Sequence, residues 1–179
     1  GGRRVIVQAT GGCGGLRLAA EFLKLASPEA TVWVSDPTWA NHIPLMSAAG
    51  LKISKYPYYD YATHSVRFDE MLSCLKQVPK GDIVLLHGCC HNPCGADLSL
   101  AQWEAVRDVA LAQGFTVLID LAYQGLGDGL DEDMAGTRLM AASLPELVVV
   151  SSCSKNFGLY RERTGAMTLI TQSDAETKT

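Results

Sequence analysis

The sequence has no long apolar run, no excess of basic residues and no internal repeat, and each lack removes a class of function. No uninterrupted apolar stretch approaches the ~20 residues of a membrane span. The Gly1-Gly-Arg-Arg4 start has no apolar signal core, so a soluble, cytoplasmic protein without a membrane partner is expected. Lysine and arginine number 15 against 19 acidic residues, leaving a net charge of −4 and no basic stripe, which argues against nucleic acid as a partner. Cysteine is not scarce, but the six cysteines do not form a disulfide framework: Cys89 adjoins Cys90, Cys13 lies in a glycine run and Cys153 ends an apolar one. Reduced thiols are expected. Linkers and low-complexity tracts are also missing, and 179 residues at 47% hydrophobic content suffice to bury one core, so residues 1–179 read as one domain.

What is present alternates. Strands are expected over Arg4 to Ala9, Thr31 to Ser35, Leu51 to Tyr56, Ile83 to His87, Phe115 to Asp120, Leu147 to Ser151 and Ala166 to Ile170. Between them helices are expected over Leu16 to Leu25, a stretch reaching about Ala49, Phe68 to Gln77, Leu100 to Gln113 and roughly Met134 to Ser143. Gly114 stands where a left-handed residue closes a helix. Asp174 to Thr179 reads as a frayed polar end. The pattern predicts an α/β three-layer sandwich around a mainly parallel sheet of about seven strands. In such a sheet, polar clusters after the strands gather along one rim, where ligands bind.

Lys155 is the most informative of these rim residues, because it follows the apolar strand within Ser151-Ser-Cys-Ser-Lys155, and Arg163 follows in turn. A lysine used as a covalent catalyst needs a fixed stem, and Ser152, Ser154 and Arg163 have the donors to hold a phosphate beside it. The alternative is a solvated loop cation. Thr10-Gly-Gly-Cys-Gly-Gly-Leu-Arg17, between a strand and a helix, offers bare amides to a phosphate or is simply a tight turn; it departs from the dinucleotide fingerprint GxGxxG. Asp120 ends an apolar strand, where a buried carboxylate needs a cation or strong donors. A protonated pyridine nitrogen would serve, as would a helix-cap role without any ligand. Asn92 and Tyr123 are neutral donors suited to a phenolic oxygen, Trp39 is placed to stack on a flat ring or to fill the core, and His42 to orient Asp120.

His87, Cys89, Cys90, His91 and Cys94 also lie close together in sequence. Their spacing is poor for zinc, no second ligand pair stands elsewhere, and adjacent cysteines diverge if the strand runs on through them. No metal is expected.

Taken in order, Gly-Gly-Cys-Gly-Gly-Leu-Arg17, Asp36-Pro-Thr-Trp-Ala-Asn-His42, Cys90-His-Asn-Pro-Cys-Gly95, Asp120-Leu-Ala-Tyr-Gln-Gly125 and Ser152-Cys-Ser-Lys-Asn-Phe-Gly-Leu-Tyr-Arg-Glu-Arg163 resemble the aspartate and aromatic-amino-acid aminotransferases, the fold-type I enzymes that use pyridoxal 5′-phosphate. The resemblance implies that Lys155 forms the Schiff base and then carries the proton between the substrate α-carbon and cofactor C4′. It implies that Asp120 pairs with the pyridine nitrogen, Tyr123 and Asn92 bind the phenolic oxygen, and Trp39 and Ala122 cover the two ring faces. Gly12, Cys13, Ser152, Ser154 and Arg163 would form the phosphate cup, with His42 and His87 behind Asp120. It further implies amino-acid and 2-oxo-acid substrates, an amino group moved between aspartate or an aromatic amino acid and 2-oxoglutarate, and a homodimer. Cys13 stands where the family usually has Thr or Ser, and Cys94 where it has Thr. Family members are about twice as long, so the chain is expected to match their large cofactor-binding domain without the N-terminal arm or the C-terminal small domain. Impaired activity follows, or, as the other reading, a non-catalytic binding or oligomerisation module of the same descent.

Overall fold

The order of elements is β1 (Arg4–Thr10), α1 (Gly11–Ala26), β2 (Thr31–Asp36), α2 (His42–Ala48), β3 (Lys52–Pro57), β4 (Tyr59–Asp60), β5 (Ser65–Val66), α3 (Phe68–Leu75), β6 (Ile83–His87), α4 (Leu100–Gln113), β7 (Thr116–Leu121), α5 (Ala135–Ser143), β8 (Leu147–Ser152) and β9 (Thr164–Ile170). The structure is a computed structural model that describes residues 2–176; of the polar end expected to fray, residues 177–179 lie outside the described residues.

The main sheet has seven strands in the order β1-β9-β8-β7-β6-β2-β3. From β3 through β8 the pairs are parallel, whereas β9 runs antiparallel to both β8 and β1. This is the three-layer α/β arrangement, with the central strands β6, β7 and β8 buried on both faces. Alternation along each strand divides the core: Val84, Leu86, Val117, Ile119, Leu147 and Val149 join one cluster, while Ile83, Leu85, Leu118, Val148 and Val150 join the other. Helix α4 begins on a Ser99 capping box with Gln102 and ends at Gly114 with φ 72°, so both of its bounds are written in local chemistry.

Two elements differ from expectation. Helix α1 begins at Gly11, so the expected glycine loop is its first turn. Glycine is a poor helix former, and the reason for its presence is proximity: a Cβ on Gly15 would lie 2.7 Å from Val150 Cγ1, and one on Gly12 would lie 3.3 Å from Ser152 Cβ. The small hairpin of β4 and β5 is too short to leave a periodic signature.

Candidate active site

Parallel pairing brings the carboxyl ends of β2, β6, β7 and β8 to one rim. Strand β1 reaches the same rim, because two antiparallel pairings through β9 restore its direction to that of β8. Thr10, at the end of β1, pairs with Thr164, at the start of β9. The first turn of α1 therefore lies beside the segment that follows β8. A cleft of about 340 Å³ opens there, within the range of small-molecule sites.

One end of the cleft is a cradle of donors. Gly12 and Cys13 line it, and Thr10 makes no side-chain cap, so the first amides of α1 are not used by a capping side chain. Ser152 and Ser154 are buried in the same wall, tied by a bond from the Ser154 amide to Ser152 Oγ at 3.2 Å. Arg163 donates to Ser154 Oγ at 3.3 Å and to the Tyr160 carbonyl at 2.9 Å. Its backbone sits at φ 54°, a strained conformation for a non-glycine residue, and one that closes active-site segments elsewhere. A Cβ on Gly11 would lie 2.5 Å from Arg163 Nη2, so the glycine run admits the guanidinium. Amides, hydroxyls and a guanidinium without a carboxylate among them suit a phosphate.

At the deep end Asp120 is 8% exposed, and its Oδ2 lies 2.9 Å from Nε2 of the fully buried His42. His42 does not line the cleft; it stands behind Asp120 on α2. Between these ends Lys155 lines the cleft with its Nζ 4.8 Å from the centre of the Tyr160 ring. Asn92 and Tyr123 meet on one side at 3.5 Å, and Trp39 and Ala122 also face the cleft. Every residue expected to contact a cofactor thus lies on one cleft. Tyr160 and Cys89 line it as well and were not foreseen; Tyr160, between Lys155 and Arg163 in sequence, was the more readable of the two.

His87 lines the cleft, and both its ring nitrogens are buried without a hydrogen-bond partner among the described residues. Burial, and then the neighbouring His91 and His42 rings, hold it well below the usual histidine range. A neutral imidazole with an unused donor and an unused acceptor marks a place for a polar ligand or water. His91 stacks on Tyr58 with 4.2 Å between centroids, and burial pushes it down to about 4.

The cysteine-histidine cluster divides into two groups on folding, His87 and His91 with 3.9 Å between ring centroids and Cys94 beside His91, and Cys89 with Cys90. Cys94 Sγ lies 3.1 Å from His91 Nδ1, and His91 Nε2 lies 3.0 Å from Ser35 Oγ. Strand β6 stops at His87, and Cys90 adopts φ 48°. The expected divergence of Cys89 and Cys90 is therefore not seen: both thiols come within 4.8 Å of each other and of an Asp133 carboxylate oxygen. All six cysteines are free thiols.

Comparison with known proteins relates the chain to a family. The model of the family described as aminotransferase class I and II matches residues 2–175. The aromatic-amino-acid aminotransferase of Paracoccus denitrificans is 52% identical over 94% of this chain and 42% of its own length. The aspartate aminotransferase of Salmonella typhi is 49% identical over 95% of this chain and 43% of its own. A solved aromatic-amino-acid aminotransferase from Burkholderia pseudomallei, covalently bound to pyridoxal phosphate, superposes with a TM-score of 0.97 at 47% identity, covering 99% of this chain and 44% of that one. The chain spans less than half the length of these relatives.

Proposed function

The chain belongs to the class I and II aminotransferases, and from that membership we propose that it is the cofactor-binding large domain of a pyridoxal-phosphate transaminase acting between aspartate or an aromatic amino acid and 2-oxoglutarate. One observation carries the reading: Lys155, Asp120 and Arg163 line a single cleft, an amine between a carboxylate and an anion cradle. The donor set fits the group. The cradle at one end matches a phosphate, the His42-backed carboxylate at the other matches a protonated ring nitrogen, and the unpartnered nitrogens of His87 mark polar space between the walls.

Bound there, pyridoxal phosphate would supply an electron sink for charge that develops at a substrate α-carbon. The residues of this chain do the rest. Arg163, Ser152, Ser154 and the amides of Gly12 and Cys13 hold and orient the phosphate. Asp120, fixed by His42, keeps a cationic ring nitrogen charged. Asn92 and Tyr123 donate to the phenolic oxygen, while Trp39 and Ala122 confine the ring. Lys155 would supply the amine that holds the group and the base that moves a proton at a substrate α-carbon. Free thiols fit a reducing, cytoplasmic setting, and homodimeric assembly belongs to the same reading.

The second reading, a non-catalytic binding or oligomerisation module, is favoured by uncovered apolar side chains: Leu25 is 82% exposed and Phe157 71%. Adding pyridoxal phosphate to the purified chain, reducing with borohydride and mapping the label separates the two. A stoichiometric adduct on Lys155 supports the transaminase reading; scattered labelling that persists in Lys155→Ala supports the module.

A further inference from the structure

We propose that Cys89 and Cys90 form a chelating dithiol site for trivalent arsenic, on the wall of the cleft. The pair is held by a rigid turn. The amides of Cys90 and His91 donate to the two carboxylate oxygens of Asp97, at 2.6 and 2.8 Å, and Cys90 takes the left-handed backbone that swings its thiol to the side of Cys89. The thiols thereby face the same space, which consecutive residues of an extended strand cannot do. Access is from two directions: Cys89 lines the open cleft, and Cys90 is partly exposed.

The neighbouring carboxylate decides the class of ligand. Asp133 accepts the amides of Gly125 and Gly127 on Oδ2 and that of Asp128 on Oδ1, so it is committed to pinning the Gly125–Gly129 turn. Two sulfurs remain as the available donors. Zinc, which takes four ligands, is poorly served by them. Trivalent arsenic bonds to two soft sulfurs and retains its own third substituent, matching what the site offers. Charge points the same way. Burial pushes the Cys89 thiol well up, with Cys90 and Asp133 adding to it, and burial followed by Asp97 pushes Cys90 up, so the site resists thiolates. Condensation with an arsenic(III) hydroxide leaves no charge behind. Two As–S bonds form and two As–O bonds break, each thiol proton leaves with a hydroxide as water, and arsenic stays trivalent throughout.

The site is independent of the transaminase reading, because its readout is mass and not activity. The purified, reduced chain is treated with phenylarsine oxide in excess monothiol and weighed intact. One phenylarsenic group should be retained, released by dithiothreitol, and lost at least tenfold more readily from Cys90→Ser, with Cys13→Ser and Cys94→Ser unchanged. Far-UV circular dichroism verifies that each variant is folded. In the wild-type chain the same reagent should protect Cys89 and Cys90 together from N-ethylmaleimide. Undiminished retention in folded Cys90→Ser, or protection of any other pair of cysteines, overturns the proposal.

Discussion

His42 Nε2 stands 2.9 Å from Asp120 Oδ2, and the other ring nitrogen stands 2.8 Å from Thr38 Oγ1. An imidazole carrying its proton on Nε2 satisfies both, donating to the carboxylate and accepting from the hydroxyl. The relay fixes Asp120 at the back of the cleft with no surface cation. His42→Ala leaves a buried acceptor unpaired, and the expected cost is about 1–3 kcal/mol in urea unfolding, partly restored in His42→Asn. An unchanged midpoint would show that Asp120 is held by something else.

Arg163 combines a strained backbone with the only guanidinium lining the cleft among the described residues. Arg163→Gly relieves the strain and removes the charge together. Thermal stability should not fall, while the affinity for pyridoxal phosphate should drop about 10- to 100-fold, the equivalent of a charge-assisted hydrogen bond of about 1.5–3 kcal/mol. Titration followed by cofactor absorbance measures it.

Cys13 places a thiol, a weak donor, at the start of α1 where a hydroxyl would bond a phosphate. Cys13→Thr should tighten pyridoxal phosphate binding about tenfold or more. An equal dissociation constant removes this side chain from the cradle.

Acid should weaken the fold through its buried histidines, beginning above the carboxylate range. His91 is pushed down to about 4 by burial, and His87 lies well below its usual value for the same reason. Lowered histidines contribute stability in full above the unfolded value of ~6.5 and lose it as pH falls toward the folded one. Between pH 6.5 and 4 the unfolded chain binds the extra protons, and His91 alone accounts for up to about 3 kcal/mol. Asp133 is held low because the amides of Gly127, Asp128, Gly125 and Gly129 outweigh its burial, so its own loss falls at still lower pH. Urea unfolding at pH 7, 6 and 5 should show the decline, and His91→Phe should flatten it.

Gly165 admits no side chain: a Cβ there would lie 2.7 Å from both the Gly11 carbonyl carbon and the Ser151 oxygen. These are backbone atoms and do not yield as a flexible side chain would. Gly165→Ala should destabilise by about 1–3 kcal/mol and weaken cofactor binding at the same time, since the start of α1 must shift away from β9. Wild-type affinity in a destabilised variant would separate the cradle from this packing.

The sheet was legible in the sequence because its central strands β6, β7 and β8 are nearly continuous apolar runs. Strand β6 and helix α4 have the bounds the residues suggest, the helix because Ser99 and Gly114 mark its ends. Propensity misplaced the start of α1 by favouring Leu16 over a run of glycines whose helicity comes from close packing, a tertiary fact. The gathering of the rim clusters was readable from the alternation of strands and helices, whereas the route by which β1 joins that rim, through an antiparallel β9, is encoded by no local pattern. Asp133 escaped notice entirely, although a carboxylate following the glycines of Gly125–Gly129 is a recognisable turn device.

The pairing of β1 with β9 also dictates when the cleft comes into being. Its anion cradle joins residues near position 12 to residues near 163, which makes it a contact of very high sequence separation and slow to form. During synthesis the first turn of α1 leaves the ribosome early and has no Arg163 to meet until nearly the whole sheet has been made. The cradle is therefore finished only after β9 has been made, and anything that occupies it meets a sheet whose strands are all in place.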